Sequence, residues 1–298
     1  MSFFPIEYID PVFRPPSEGR SLILQVTNGC SWNKCTFCTM YTAEQKRFRP
    51  KTVDQIEAEL RDLSMSGYRV HKIFLADGDA MTLSFRRLQD IMRVINIYYP
   101  NVERVSSYCL PRNLKNKSVE ELAELKKMGL TLMYVGCESG DNELLSLVEK
   151  GETYESSLAA LQKIKQAGME SSVMILNGLG GPELSERHAI QSARLMNEAQ
   201  PEYLSSLVIE LHQDGDRFID KFDGRWRPLT QPELFNEMYV LLDNLELDNT
   251  VFRSDHASNY LVLKGRLGRD KVVLLNTIET AINRPGVIPL RHEWQRGL

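Results

Sequence analysis

The chain contains no run of 18 uninterrupted apolar residues, and its opening stretch "MSFFPIEYIDPVFRPP" shows no basic segment leading into an apolar one. The first absence argues against a membrane-spanning helix and the second against a secretory leader, so the expectation is a cytoplasmic protein with no membrane partner. Positive charge is not in excess either. Lys plus Arg number 36 against 40 Asp plus Glu, a net charge of −4. That balance argues against a general nucleic-acid surface, though a local basic groove would survive it. Five cysteines, an odd and unevenly spread number, make a poor disulfide framework. The five histidines at 71, 188, 212, 256 and 292 fall at no metal-ligand spacing. No internal repeat or low-complexity tract interrupts a composition that is 42% apolar and 26% charged, both globular values.

What is present is alternation. Apolar strand-like runs recur at 22–27 ("LILQVT"), 72–76 ("KIFLA"), 104–108 ("RVSSY"), 131–136 ("TLMYVG"), 171–177 ("SSVMILN") and 203–211 ("YLSSLVIEL"). Amphipathic helical segments follow the runs, beginning with "TVDQIEAEL" behind a cap at Thr52 or Asp54. Strands separated by helices imply right-handed crossovers and a parallel sheet. The expected fold is α/β, a partial (β/α)6 TIM-like barrel of parallel strands with a C-terminal extension; a doubly wound open sheet competes. Residues 1–20 read as an N-terminal segment, 21–212 as the barrel core and 213–298 as an extension capping it. Within that extension, helices are expected over 231–244 and 270–283, flanking an irregular "TVFRSDHASNYLVLKG".

Three of the five cysteines, Cys30, Cys35 and Cys38, lie within nine positions of "TNGCSWNKCTFCTMY", just after the first strand. Clustered thiolates bind soft metals, and their number is diagnostic. A structural zinc site takes four ligands, so zinc would need a remote histidine. A [4Fe–4S] cluster normally takes four thiolates; three leave one iron open to an exogenous ligand. Small buried hydrophobes are a poor reading of a loop this rich in Asn, Ser and Lys.

These residues resemble the radical S-adenosylmethionine (SAM) superfamily, whose cluster motif is Cys-x3-Cys-x2-Cys. Here the spacing is Cys30-x4-Cys35-x2-Cys38, and the extra residue predicts a bulge around Trp32–Asn33. The resemblance implies that Cys30, Cys35 and Cys38 hold a [4Fe–4S] cluster, and that Phe37 lies near the adenine of SAM. "FLADGDAMTL" resembles the family's Gly-Gly-Glu segment and puts Asp77, Gly78 and Asp79 at the methionine amino group. "YVGCESGDNELLSLVEKGET" looks like the fourth-strand signature, with Glu138 facing SAM. "MILNGLGGPE" resembles the fifth-strand pattern and implicates Asn177, Leu179 and Gly180. The likeness covers about residues 20 to 212. It is nearest the branch of oxygen-independent coproporphyrinogen oxidases, Elp3-like enzymes and methylthiotransferases.

The reading is therefore an enzyme that cleaves SAM reductively to a 5′-deoxyadenosyl radical, which abstracts hydrogen from an unidentified, most plausibly small-molecule, substrate. The competing classes are a zinc-binding scaffold using three Cys plus a His, and a non-enzymatic iron–sulfur electron carrier. Neither a cobalamin-binding Asp-x-His-x-x-Gly segment nor an RNA-binding appendage is visible. Further candidates are Arg253, Asp255 and His256, where the arginine suits a carboxylate or phosphate and the histidine a proton. Cys109 is a candidate hydrogen-atom donor against a plainer structural role, with Cys137 the weaker of the pair. Glu210 and His212 are lesser candidates. The basic run 46–51 ("KRFRPK") reads as a solvated face or as a contact for a flavodoxin- or ferredoxin-type donor.

Overall fold

The structure, a computed structural model, describes residues 5–211 and 215–296, so His212 lies outside the described residues. Chain contacts divide it into two compact units. The first comprises Met1–Asn33, Cys38–Val135 and Gln162–Ser171, and the second Lys34–Phe37, Gly136–Leu161 and Ser172–Leu298.

In the first unit β1 (Leu22–Gln25) stops two residues before the apolar run does. Thr27–Asn28 (β2) instead pairs antiparallel with Arg49–Pro50 (β3), which turns the chain away. Helix α1 (Val53–Met65) starts at Thr52, whose hydroxyl accepts from the Gln55 amide while the Gln55 side chain accepts from Thr52 N–H. This reciprocal box supplies partners for two end groups the helix would otherwise leave open. Next come β4 (Lys72–Ala76), α2 (Phe85–Tyr98), β5 (Arg104–Cys109), α3 (Val119–Lys127) and β6 (Leu130–Glu138). β1 pairs with β4, β4 with β5 and β5 with β6, all parallel. Their residues are buried on both faces, mostly apolar but with Gln25, Ser106 and Ser107 among them, as in a sheet covered on both sides. Cys109 and Cys137, expected beyond the strand ends, are instead buried strand residues.

The second unit takes in α4 (Asn142–Leu147), most of α5 (Tyr154–Gln166) and of β7 (Glu170–Asn177), α6 (Gly181–Ala199), β8 (Tyr203–Val208) and α7 (Asp216–Ile219). α8 (Gln231–Asp243), β9 (Val251–Arg253), β10 (Lys264–Arg266) and α9 (Lys271–Asn283) complete it. β9 continues the parallel pairing from β8, and β10 adds an antiparallel edge. The stretch expected to be irregular thus holds two strands. Their three-residue length, around a turn at 254–263, carries too little alternation to register as a period. Strand order among the described residues is β1-β4-β5-β6-β7-β8-β9-β10, a mostly parallel α/β sheet with an antiparallel last edge.

Between α6 and α8 two titratable groups are buried without becoming an ion pair. His188 Nδ1 shares a 2.8 Å hydrogen bond with the Ser139 hydroxyl, and its Nε2 lies 3.7 Å from Glu237 Oε1. Burial holds the imidazole neutral, with its pKa lowered to about 4. Burial raises Glu237 to about 7, although the Ser185 side chain and the Gly178 amide, 2.6 Å from Oε1, act the other way.

Folding therefore keeps a proton on Glu237 that the unfolded chain releases near 4.5. Its contribution to stability is complete below that value and is lost as pH rises through about 7. Glu237→Gln cannot ionise, whereas His188 is common to both proteins. Melting curves from pH 5 to 8 should show the wild type losing ground to Glu237→Gln, by up to about 3 kcal/mol at some 1.4 kcal/mol per pKa unit. Parallel pH profiles would show that Glu237 does not titrate as described.

Candidate functional site

The cysteine loop begins where β2 ends. Ser31 donates both its N–H (2.9 Å) and its hydroxyl to the Asp79 carboxylate. Asn33 adopts the left-handed conformation, φ 44°, and its side-chain amide donates to Tyr41 O at 2.8 Å. The left-handed turn at Asn33 falls where the extra residue was expected to be accommodated, on a residue type that enters this region more readily than most. Trp32 lies under the Arg112 guanidinium, 3.7 Å from ring centroid to Cζ.

Further along, the Thr36 N–H donates to Val148 O at 3.0 Å. Arg217 donates to Lys34 O (2.6 Å) and Cys35 O (3.0 Å). Cys30, Cys35 and Cys38 are all half-buried. Cys30 and Cys38 belong to the first unit and Cys35 to the second. Among the described residues no three His, Cys, Asp or Glu side chains stand together as a ready-made ligand set. The donor chemistry nonetheless fits an iron–sulfur group: three thiols on one short, tethered loop.

Asp77, Gly78 and Asp79 follow β4. Lys46, expected on a solvated face, is fully buried and ion-paired to Asp77, itself fully buried. Lys46 Nζ also donates to Ile9 O at 2.8 Å, while Gln25 Nε2 (3.1 Å) and Gly29 N–H (3.3 Å) donate to Asp77 Oδ2. Burial raises the Asp77 pKa and the Lys46 partnership opposes that rise. Burial likewise raises Asp79, against its hydrogen bonds from Ser31. Both carboxylates thus bind their own protein. Gly78 runs so close to the loop that a Cβ there would lie 2.9 Å from Cys30 Cβ and 2.7 Å from Tyr41 Cε2. Only glycine permits that approach.

In the second unit Glu138 ends β6 at φ 65° and accepts a 2.8 Å bond from Lys150, a pair that is almost wholly buried. Burial alone would lower the Lys150 pKa; the charges of Glu138 and Cys35 reverse this and raise it. A Cβ on Gly136 would sit 2.3 Å from Glu138 Oε1, so glycine there makes room for the carboxylate. Lys150 Nζ also lies 5.9 Å from the Phe37 ring centroid, and Phe37 packs against the buried cluster of Leu144, Val148, Leu179 and Phe218. Asn177 is buried; its Nδ2 donates to Leu234 O at 3.1 Å, and its Oδ1 has no protein partner among the described residues. Leu179 is wholly buried, its carbonyl accepting from Trp226 Nε1 at 3.2 Å. Gly180 packs so closely on α6 that a Cβ would lie 2.7 Å from Leu184 Cβ.

The remaining candidates separate. Arg253 is a half-buried β9 residue whose Nε is buried and lacks a partner. Asp255 is exposed, and His256 bonds to the neighbouring Ser258 hydroxyl at 2.9 Å. Arg291 draws in the carbonyls of Asp255, His256 and Asn259, and Arg296 binds Ser258 O and Glu210. Cys109 is buried, its thiol 3.4 Å from Leu110 O. The sequence pattern assigns no role to Lys150 or Arg217, and it puts Lys46 in a solvated basic run where the fold buries it. Lys150 stands inside a recognised stretch, twelve residues past Glu138, but a basic residue in a loop carries no sign that it is buried.

Removing one partner of a buried ion pair costs about 3–5 kcal/mol, because the other charge stays behind uncompensated. Denaturant unfolding of Lys46→Met should show a loss of that order. The double variant Lys46→Met/Asp77→Asn should recover much of it. Full stability in Lys46→Met alone would contradict the pairing.

Residues 24–196, more than half of the chain, match the radical SAM superfamily. Among curated proteins, 4′-phospho-dehydrooxetanocin synthase of Priestia megaterium is 27% identical over 165 residues, covering 50% of this chain and 22% of that protein. The tRNA-2-methylthio-N(6)-dimethylallyladenosine synthase of Hahella chejuensis is 26% identical over 223 residues, 70% of this chain and 47% of the relative. The chain thus spans less than half the length of either. Among solved structures, coproporphyrinogen III oxidase (HemN) from Escherichia coli superposes with a TM-score of 0.56 at 16% identity, over 75% of this chain and 52% of that one. That likeness is one of fold, the α/β partial barrel. Enzymes of the matched family work with a [4Fe–4S] cluster and SAM. By its sequence from residue 24 to 196, this chain belongs to the radical SAM superfamily.

Proposed function

We propose that the protein is a radical SAM enzyme whose [4Fe–4S] cluster is held by Cys30, Cys35 and Cys38 and whose substrate is a small molecule. The observation that carries the reading is the tethered cysteine loop inside the family match, with its extra residue absorbed at Asn33. When bound, the cluster supplies the electron that breaks a carbon–sulfur bond of SAM and leaves a 5′-deoxyadenosyl radical.

The chain's own residues position the reactants. With Asp79 held by Ser31 and Asp77 Oδ2 held by Lys46, Gln25 and Gly29, the methionine amino group is received by backbone at Gly78. Glu138, oriented by Lys150, and the open acceptor Asn177 Oδ1 hold the nucleoside end, with Phe37 beside the adenine and the backbone at Leu179 and Gly180 along its edge. Holding these groups in place before the reaction lowers its entropic cost. Cys109, buried against its own strand end, serves packing. A flavodoxin- or ferredoxin-type donor would meet the exposed Arg47 and Arg49, since Lys46 is withdrawn into the core.

Anaerobic reconstitution should yield a brown protein with about four irons and four sulfides per chain. On reduction it should release 5′-deoxyadenosine from SAM. Alanine at Cys30, Cys35 or Cys38 should each abolish both. A colourless zinc protein would support the scaffold reading, and a loaded cluster that never yields 5′-deoxyadenosine would support the electron carrier.

A further inference from the structure

Beyond the residues tied to SAM lies a second chemical feature, on one face of the β8–β9–β10 edge. Cross-strand register sets Ser205 opposite Arg253 and Arg253 opposite Lys264; the next row is Tyr203, Val251 and Arg266. Residues in register share a face of the sheet. The other face is accounted for: Leu204 and Phe252 are fully buried, and a Cβ on Gly265 would lie 3.1 Å from Leu274 of α9.

On the first face three cations stand with two hydroxyls and no carboxylate. Arg266 is occupied, donating to Asn249 Oδ1 at 2.6 Å. Arg253 is not. Its Cζ lies 5.9 Å from the Tyr203 ring centroid, its Nε is buried, and among the described residues it makes no ion pair. A buried donor left unsatisfied costs about 1–3 kcal/mol unless a water or a bound group supplies its partner. Lys264 beside it is exposed and also has no acidic partner among the described residues.

We propose that Arg253, with Lys264 and the hydroxyls of Ser205 and Tyr203, forms a subsite for a phosphate group of the substrate. The proposal rests on the enzyme reading above for the word substrate, but not for the anion. Phosphate fits better than carboxylate because the group carries no carboxylate and offers many donors. A guanidinium fork, an ammonium and two hydroxyls exceed what two carboxylate oxygens take up, whereas three phosphoryl oxygens accept them all. Asp255 and His256 belong to the turn clamped by Arg291 and lie outside this row.

The test is calorimetric titration of the reconstituted holoprotein with inorganic phosphate, and separately with acetate, at fixed ionic strength. Wild type should bind phosphate saturably and at least tenfold more tightly than acetate. Arg253→Gln should weaken phosphate at least tenfold. Arg253→Lys should fall between, since it keeps charge without the fork. Lys264→Gln, at an exposed position where folding is not at stake, should weaken it severalfold, and Arg269→Gln, at an exposed arginine past β10 that pairs with Asp270, should leave it unchanged. Unaltered phosphate binding in Arg253→Gln, or none in wild type, overturns the site; equal binding of acetate overturns the phosphate assignment. Release of 5′-deoxyadenosine, measured on the same samples, reports on the enzyme reading alone. Its failure with Arg253-dependent phosphate binding intact would leave the anion subsite standing.

Discussion

The ion pair of Lys46 with Asp77 is the contact on which the first unit's candidate site depends. Through it and its neighbours four stretches meet that are remote in sequence. Ile9 O accepts from Lys46, Ile9 N–H binds Gln25 Oε1, Gln25 and Gly29 donate to Asp77, and Asp77 N–H donates to Thr27. The chain leaving β1 is thereby joined to the chain leaving β4. Two charges with no contact to water tolerate little displacement, because every lost hydrogen bond exposes an unpaid desolvation cost. The cysteine loop departs from this anchored point, and Asp79 holds it again one residue past Cys30.

Lys150 and Glu138 repeat the same physics in the second unit. Again a lysine from a loop is withdrawn from solvent to meet a carboxylate at a strand end, and here a glycine, Gly136, makes the space for that carboxylate. In both units the charged groups that a motif comparison would aim at a ligand are partly or wholly engaged by the protein. In the function proposed above, recognition falls to backbone at Gly78 and to acceptors without a protein partner among the described residues, such as Asn177 Oδ1. Arg253 is the opposite case, a cation whose buried nitrogen has been given no internal partner.

Much of the fold was legible because a parallel sheet covered on both faces writes its strands as apolar runs. "KIFLA" coincides with β4, and the helices expected over 231–244 and 270–283 match α8 and α9 to within a residue. The misses have local causes. β1 ends at Gln25 because Thr27 and Asn28 pair with Arg49 and Pro50, a partnership across more than twenty residues that no window detects. β9 and β10 are too short to show a period, yet they create the face that carries Arg253. The run "KRFRPK" looked uniformly solvated because charge in a sequence carries no depth, while Lys46 alone of the six is fully buried.

By itself the sequence determined which chemistry is available: three thiols at close spacing, glycines after the strands, and the order of strand and helix. Those follow from residue types and local periodicity, which need no third dimension. Tertiary structure alone decided which charges are committed and which stay open. Asp79, Glu138 and the Oδ2 of Asp77 are bound internally and Arg253 makes no ion pair among the described residues, because pairing depends on what the fold brings within hydrogen-bond reach and out of water. The extra residue between Cys30 and Cys35 belongs to both levels. Its presence is a fact of sequence, and its accommodation, at a left-handed Asn33 tied to Tyr41, is a fact of folding.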